Sequence, residues 1–253
     1  MSARRILQII RYVARRDSPV SVKEIARHLS MPRPTVYRLI NGLEDEEVLQ
    51  RCADTNGIEL SNGFLRSMII GASNAQIIAG FEEALDCTAN TWNATAFLGR
   101  LSGKVIEIVH VTTPPKLDTG YIHPGLNVRP AHACSAARAI LAFVSQKKAD
   151  EVLGNDHTAF TDQTITDKDA LLEELQQTRE RGYAICDEEI DPGITSVSAP
   201  IRVGRAGVVC SIGIVAPVRK MQEFGLTTVG EYLHQKAKGA VINLNQNLYQ
   251  LLN

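Results

Sequence analysis

The sequence predicts an α+β protein in two parts: an N-terminal winged helix-turn-helix domain, then a larger domain with a mainly antiparallel sheet. Three observations carry this. Residues 21–43 hold two short amphipathic helix patterns separated by Ser30-Met31-Pro32. Two strand patterns around Asp54-Thr55-Asn56-Gly57 follow directly, as a wing would. Further along, strand and helix patterns mix, with short turns between neighbouring strands.

The first 62 residues read as three short helices and a β-hairpin. Ser21 and Glu24 stand in capping-box spacing, so the serine oxygen accepts from a first-turn amide while the glutamate reaches back to the cap amide. A helix from Ser21 to Leu29 starts there, with Val22, Ile25 and Leu29 on its apolar side. In the next helix, Arg33 to Leu43, the residues Val36, Leu39, Ile40 and Leu43 follow the i, i+3, i+4, i+7 pattern. Pro34 fits because amides of the first turn have no intrahelical partner. The opposite face carries Arg33, Thr35, Tyr37, Arg38 and Asn41, side-chain types that reach phosphates and base edges in the major groove. This is the expected recognition helix, with Arg51 of the wing as a further DNA-contact candidate. The wing strands run Val48 to Cys52 and Ile58 to Leu60, and Asn56-Gly57 is the hairpin signal between them.

Charge points the same way. Residues 1–43 hold nine Arg or Lys against Asp17 and Glu24, a balance of +7, whereas the whole chain is −1 and the remainder is therefore −8. A basic head on an acidic body is expected where only the head meets a polyanion, because counterion release from phosphates dominates nucleic-acid affinity. Charge alone leaves open a helical domain with a solvated basic face.

At 253 residues, 44% hydrophobic and 22% charged, the chain has room for two separate cores. Its most apolar stretch, Val208 to Val218, is 11 residues long with Gly213 and Pro217 inside it, which reads as a buried strand and not a membrane span. No apolar signal region follows the N-terminal arginines, so a cytoplasmic protein is expected. The five cysteines, 52, 87, 134, 186 and 210, are odd in number and widely spaced, implying reduced thiols without a disulfide framework or a CxxC metal site. His110, His123, His132 and a cysteine lack ligand spacing, so no metal and no cofactor is expected.

The domain plan is residues 1–62 for the DNA-binding head, 63–75 for a linker helix and 76–253 for the second domain. Ala75 to Thr88 reads as a helix with Ile77, Ile78, Phe81, Ala84 and Leu85 on one side. Strands Thr91 to Leu98 and Val105 to Val111 flank a turn at Arg100 to Lys104. Residues 112–130, with four prolines and two glycines, form a long loop. Helices follow at Ser135 to Val144 and at Lys168 to Arg181, the latter closed by Gly182. Strand Tyr183 to Cys186, loop Asp187 to Ser196, strands Ser198 to Val203 and Val208 to Ala216, and a helix from about Val229 to Leu252 complete the chain.

The sequence resembles the IclR-type bacterial transcriptional regulators over nearly its full length. The resemblance rests on VKEIARHLSMPRPTVYRLINGL (Val22 to Leu43), RPAHACSAARAILA (Arg129 to Ala142), LEELQQTRERGYAICDEEIDPG (Leu172 to Gly193) and CSIGIVAP (Cys210 to Pro217), in that order. It implies a winged helix joined to a GAF-like effector-binding domain, assembly as a dimer or tetramer on double-stranded operator DNA, and a small-molecule carboxylate as effector. The family's effector positions map here onto Ser135, Ala136, Cys186, Ile194, Ser196, Gly213 and Val215. The small residues around Ser135 would leave the amides opening that helix accessible to a carboxylate, unless Ser135 serves only as its N-cap. The glyoxylate-responsive pattern of the family has an aspartate and two serines where this chain has Cys186, Gly213 and Val215. A less polar pocket would leave the oxygens of a small hydrophilic acid unpaired at about 1–3 kcal/mol each, which favours an acid with an apolar, aromatic or alicyclic body.

Two other readings follow from the residues. A catalytic one would use Cys134 with His132, or the carboxylates of Asp187, Glu188 and Glu189. In a strand, His132 and Cys134 would share a face without a directed hydrogen bond, the acidic run would alternate faces, and no GxSxG, Walker A or HExxH motif occurs, so no enzyme is expected. The other is a winged-helix regulator whose second domain only dimerises or binds a partner.

Overall fold

The computed structural model describes residues 3–16, 18–115, 127–202 and 207–250. The chain divides into two compact units, one of Met1–Ala72 with Gly204–Ala206 and Asn245–Asn253, the other of Ser73–Val203 with Gly207–Leu244.

The N-terminal unit contains α1 (Ala3–Ala14), α2 (Val22–His28), α3 (Arg33–Asp45), the strands β1 (Leu49–Arg51) and β2 (Ile58–Leu60), and α4 (Asn62–Gly71). Both halves of the Ser21–Glu24 capping box are present, with the Ser21 amide donating to Glu24 at 2.8 Å and the Glu24 amide to Ser21 Oγ at 3.2 Å. Ile9, Ile25, Val36, Ile40 and Ile58 are buried together in one apolar core, so the helical periodicities read from the sequence do point inward. β1 and β2 pair antiparallel with Leu49 opposite Leu60, and Val20 adds a single bridge to Ile58. In the connecting turn Asn56 takes the left-handed conformation at φ +52°, as a short polar side chain tolerates.

The second unit is built on a six-stranded antiparallel sheet in the order β5-β4-β3-β8-β7-β6. The strands are β3 (Thr95–Ser102), β4 (Val105–Thr112), β5 (Asn127–Arg129), β6 (Ala184–Asp187), β7 (Ile194–Arg202) and β8 (Val208–Pro217). The helices are α5 (Asn74–Trp92), α6 (Ser135–Leu141), α7 (Gln146–Leu153), α8 (Lys168–Arg181), α9 (Val218–Phe224) and α10 (Leu226–Gln250), with a 3₁₀ turn at Ala131–Ala133 before α6. Every residue of β8 from Val208 to Ala216 is buried, so this central strand is covered on both faces, and α5 and α6 both pack against it.

Several boundaries differ from the sequence reading. Thr91 and Trp92 belong to α5, not to a strand, because Trp92 packs against the rings of Phe224 and Tyr232 at 5.1 and 5.4 Å and the helix ends only at left-handed Asn93. The following hairpin shifts accordingly: Arg100 is a buried strand residue bonded to Asn74 Oδ1 at 2.6 Å, and the turn lies at Gly103. His132 and Cys134 lie in the 3₁₀ turn and at the cap of α6, not in a strand. β7 starts at Ile194, which shortens the expected loop after Asp187. α7 and α9 were not expected; each is short and shows one or two buried side chains, Ala149 and Leu153 in α7 and Met221 in α9. Most of the proline-containing loop, and His123 within it, lies outside the described residues.

Gly213 has a packing reason. An added Cβ there would stand 2.4 Å from the Phe97 ring and 2.6 Å from the Val197 carbonyl oxygen, so Phe97 fits across β8 only above a glycine. Gly213→Ala is expected to lower the stability of this unit by about 1–3 kcal/mol through overpacking, measured by urea unfolding; an unchanged transition would contradict the contact.

Candidate functional site

On α3 the side chains divide as the periodicity requires. Val36, Leu39, Ile40 and Leu43 are buried, while Arg33, Tyr37, Arg38 and Asn41 are exposed and Thr35 is half-buried. Arg51 stands apart from this group in one respect: its guanidinium is held by Glu44 of α3 at 3.0 Å, so any phosphate contact by Arg51 competes with an internal ion pair. A cleft of α1 and α2 adds Arg11, Arg15, Arg16 and His28, with His28 stacked on Tyr12 at 4.4 Å and Arg16 lying over the same ring. The head therefore combines a groove-sized helix with a cationic surface, the two requirements for reading a duplex.

The second unit contains a partly open cavity of about 200 Å³ between the sheet, the start of α6 and the loop after β6. Strand register explains which residues meet there. Cys186, Ser196 and Val215 lie side by side across β6, β7 and β8, in one row on one face of the sheet. The Ser135 hydroxyl donates to Ser196 Oγ at 2.8 Å, closing the wall from α6. Ile194 lines the same space, together with Phe97 and Ile108. Five of the seven expected positions, Ser135, Cys186, Ile194, Ser196 and Val215, thus converge on the cavity.

Ala136 and Gly213 do not line it. Ala136 is fully buried, and its carbonyl accepts from Ser211 Oγ at 3.1 Å, tying α6 down to β8. Gly213 acts one step removed, by admitting the Phe97 ring that forms part of the wall. Ser135 is the first residue of α6 and not its cap; Cys134 occupies the cap position without a side-chain cap bond.

The residues that shape the cavity include Arg138, which sequence reasoning missed, and Glu189, which it weighed only as a catalytic carboxylate. Arg138 is only 1% exposed and Glu189 6%, and they form a two-point ion pair, with Nη1 to Oε1 at 2.6 Å and Nη2 to Oε2. Arg138 Nε also donates to the His132 carbonyl at 2.9 Å, and Nη1 to that of Ile185 at 3.2 Å. The signal was present in SAARAIL, a helix with one charge in an apolar run, because a buried guanidinium requires a carboxylate elsewhere in the chain.

The acidic run serves as scaffold. Asp187 accepts from Thr195 Oγ1, and Glu188, itself at φ +56°, accepts from the Gly193 amide at 2.6 Å. Glu189 takes Arg138, while Thr161 and Thr164 hydroxyls hold the carbonyls of Glu188 and Glu189 at 2.7 and 2.6 Å. The three carboxylates go to three different partners, so none pair for acid–base work.

The thiols in the cavity are poorly activated as well. Burial pushes Cys134 up, against the amides of Ala137 and Ala136 and the charge of Arg129, and burial pushes Cys186 well above the usual thiol range. Cys210 is raised to about 12 by burial. His132 Nε2 faces the Thr158 carbonyl at 3.0 Å, not Cys134. Among the described residues no group of three His, Cys, Asp or Glu could hold a metal ion, and no helix is long and apolar enough to cross a membrane.

Two family models match the chain. The C-terminal domain of the bacterial transcriptional regulator IclR matches residues 71–240, and the IclR helix-turn-helix domain matches residues 2–52. The probable transcriptional regulator SauR of Cupriavidus necator is 25% identical over 222 residues, covering 87% of each chain. Among solved structures, the IclR protein of Thermotoga maritima superposes with a TM-score of 0.61 at 24% identity over 96% of this chain and 98% of its own. An IclR homologue of Microbacterium hydrocarbonoxydans, crystallised with 4-hydroxybenzoate, gives a TM-score of 0.57 at 17% identity over 96% and 97%.

Two outcomes test this geometry. Glu189→Gln leaves the Arg138 charge buried without a carboxylate, so a loss of about 3–5 kcal/mol in the unfolding free energy of this unit is expected; a loss under about 1 kcal/mol would show that the pair is not what holds the loop. Timed alkylation of the native chain near pH 7 should modify Cys87 before Cys134, Cys186 or Cys210. The reason is that Cys87 is lowered by its hydrogen bonds with Lys236, at 3.0 Å, and Tyr232, so its reactive thiolate forms at lower pH. Earlier labelling of Cys134 would contradict the cavity's apolar character.

Proposed function

The chain belongs to the IclR family of bacterial transcriptional regulators, a family of DNA-binding proteins and not of enzymes, and from that premise we propose that it controls operator affinity through a small organic acid bound in the C-terminal cavity. The observation that carries the effector half is the cavity itself, into which Ser135, Cys186, Ile194, Ser196 and Val215 converge from four separate elements, α6, β6, β7 and β8. A domain used only for assembly has no need of a recess bordered by two hydroxyls, apolar side chains and a few charged groups.

Size supports the class of ligand. A dry cavity of about 150 Å³ accommodates benzene, so about 200 Å³ suits one ring or a short branched chain with one polar group. The neutral thiols, Phe97, Ile108 and Val215 favour an apolar body over a small hydrophilic acid. The 4-hydroxybenzoate complex of the Microbacterium homologue is a precedent in the family for an aromatic acid.

In this proposal the chain works in the cytoplasm as a homodimer or homotetramer on double-stranded DNA, since one short recognition helix reads too few base pairs to overcome genomic competition. Arg33, Thr35, Tyr37, Arg38 and Asn41 meet the duplex, with Arg51 as a secondary contact. The ligand shifts the balance between DNA-competent and incompetent arrangements by no more than its differential affinity for them.

A panel of organic acids screened by thermal shift on the full chain, followed by operator binding with and without each stabilising acid, tests this reading. A ligand for the folded state raises its melting temperature. A chain that no acid stabilises, and whose affinity for a DNA site selected from a random library ignores every acid, would leave only an assembly role for the second unit. On the same selected site, Arg38→Ala is expected to cost about 1–3 kcal/mol of binding with the head still folded, whereas Leu39→Ala should unfold the head by about 2–5 kcal/mol. Equal loss of fold in both variants would refute the assignment of faces.

A further inference from the structure

Resting on that reading of the cavity, we infer that Arg129 of β5 is the group that recognises the acid, and that the ligand carries a single negative charge. The argument starts from strand register. Arg129 pairs with Ile106 of β4, so the two side chains project to the same face of the sheet. Ile106 is wholly buried in the core cluster that also contains Ile108, Cys134 and Ala136. Val128, between them in alternation, points the other way and is 57% exposed. β5 therefore turns its arginine toward the core side and its valine toward solvent, the reverse of what hydrophobic burial favours.

An inward guanidinium needs an anion. Among the described residues the Arg129 side chain has no hydrogen bond or ion pair. It lines the cavity, and its charge reaches the thiol of Cys134, which lines the cavity too. The other charges of the wall are differently placed. Glu189 is taken by Arg138, and Asp191 sits at an exposed position on the loop. Among the described residues the wall thus offers one cation without an internal partner, Arg129, and one such anion, Asp191.

That pair of charges selects among acids. One carboxylate on the ligand satisfies Arg129, and a second negative charge in the same small space meets Asp191. Phe97, Ile108, Ile194 and Val215 remain for an apolar body. Ser196, which accepts from Ser135, keeps its own proton to donate to a hydroxyl or carbonyl on that body. An inward charge on an edge strand also discourages pairing with a second sheet, a role that requires no ligand and that the test must separate.

Calorimetric titration of the full chain with benzoate, cyclohexanecarboxylate and 3-methylbutanoate, with their uncharged amides, and with terephthalate and 3-methylglutarate makes the separation. The proteins are the parent chain, Arg129→Gln, Arg129→Lys and Asp191→Asn, each checked for an unchanged melting temperature without ligand. We expect at least one monocarboxylate to bind, its amide to bind at least about 10-fold more weakly, Arg129→Gln to weaken the acid about 10- to 100-fold, and Arg129→Lys to recover part of the loss. Asp191→Asn should admit a dicarboxylate that the parent excludes; failure to do so overturns the single-charge limit. An acid that binds Arg129→Gln as well as the parent, or an amide that matches its acid, overturns the inference and leaves the sensor reading standing. Normal acid binding by an Arg129→Gln chain that self-associates assigns Arg129 to edge protection alone. A panel in which neither acids nor amides bind any of the four proteins overturns this inference and the sensor reading together.

Discussion

The buried ion pair of Arg138 and Glu189 is the constraint on which the C-terminal unit is organised. Neither charge can be left alone at that depth, since an uncompensated ion inside a protein costs several kcal/mol. Arg138 on α6 must therefore reach the loop after β6, and the loop must fold back to meet it. The guanidinium also holds the carbonyls of His132 and Ile185, so one side chain fixes the 3₁₀ turn before α6, the end of β6 and the acidic loop together. Those three segments border the cavity. The site is shaped by a group that does not line it.

Small side chains supply the complementary half of the design. α6 can approach the sheet because Ala136 meets a glycine, Gly99, whose added Cβ would stand 2.7 Å from the Ala136 methyl group. Gly213 yields its side-chain space to Phe97 in the same way. Close approach at these two points leaves room elsewhere, and the room appears where α6 starts and the loop stands off the strands. The head obeys a simpler rule. Its apolar residues define one side of each helix and its arginines occupy what remains, so the core and the cationic surface arise from one periodicity.

Much of this was legible in the chain. The capping box at Ser21 and Glu24, the 3.6-residue repeat through Leu43 and the glycine closing α8 act within a turn or two of helix, and the structure keeps all three. Errors fell where distant partners overrode local preference. Thr91 and Trp92 have strand-forming side chains, yet Trp92 is drawn into a cluster with Phe224 and Tyr232, more than a hundred residues on, and the helix continues through it. α7 and α9 are too short to show a convincing repeat, and each is anchored by one or two buried side chains.

The sequence by itself determined the two-part plan and the two faces of α3, because periodicity, caps and charge balance act over short spans or whole segments, and its resemblance to the IclR family pointed to five of the residues that meet in the cavity. Only the tertiary structure decided that Glu189 belongs to Arg138, that Ala136 and Gly213 pack behind the wall, and that Arg129 faces inward while Val128 faces out. These are relations between residues far apart in the chain, fixed by strand register and by the need of each buried charge to find its counterpart, and no local pattern encodes which partner that will be.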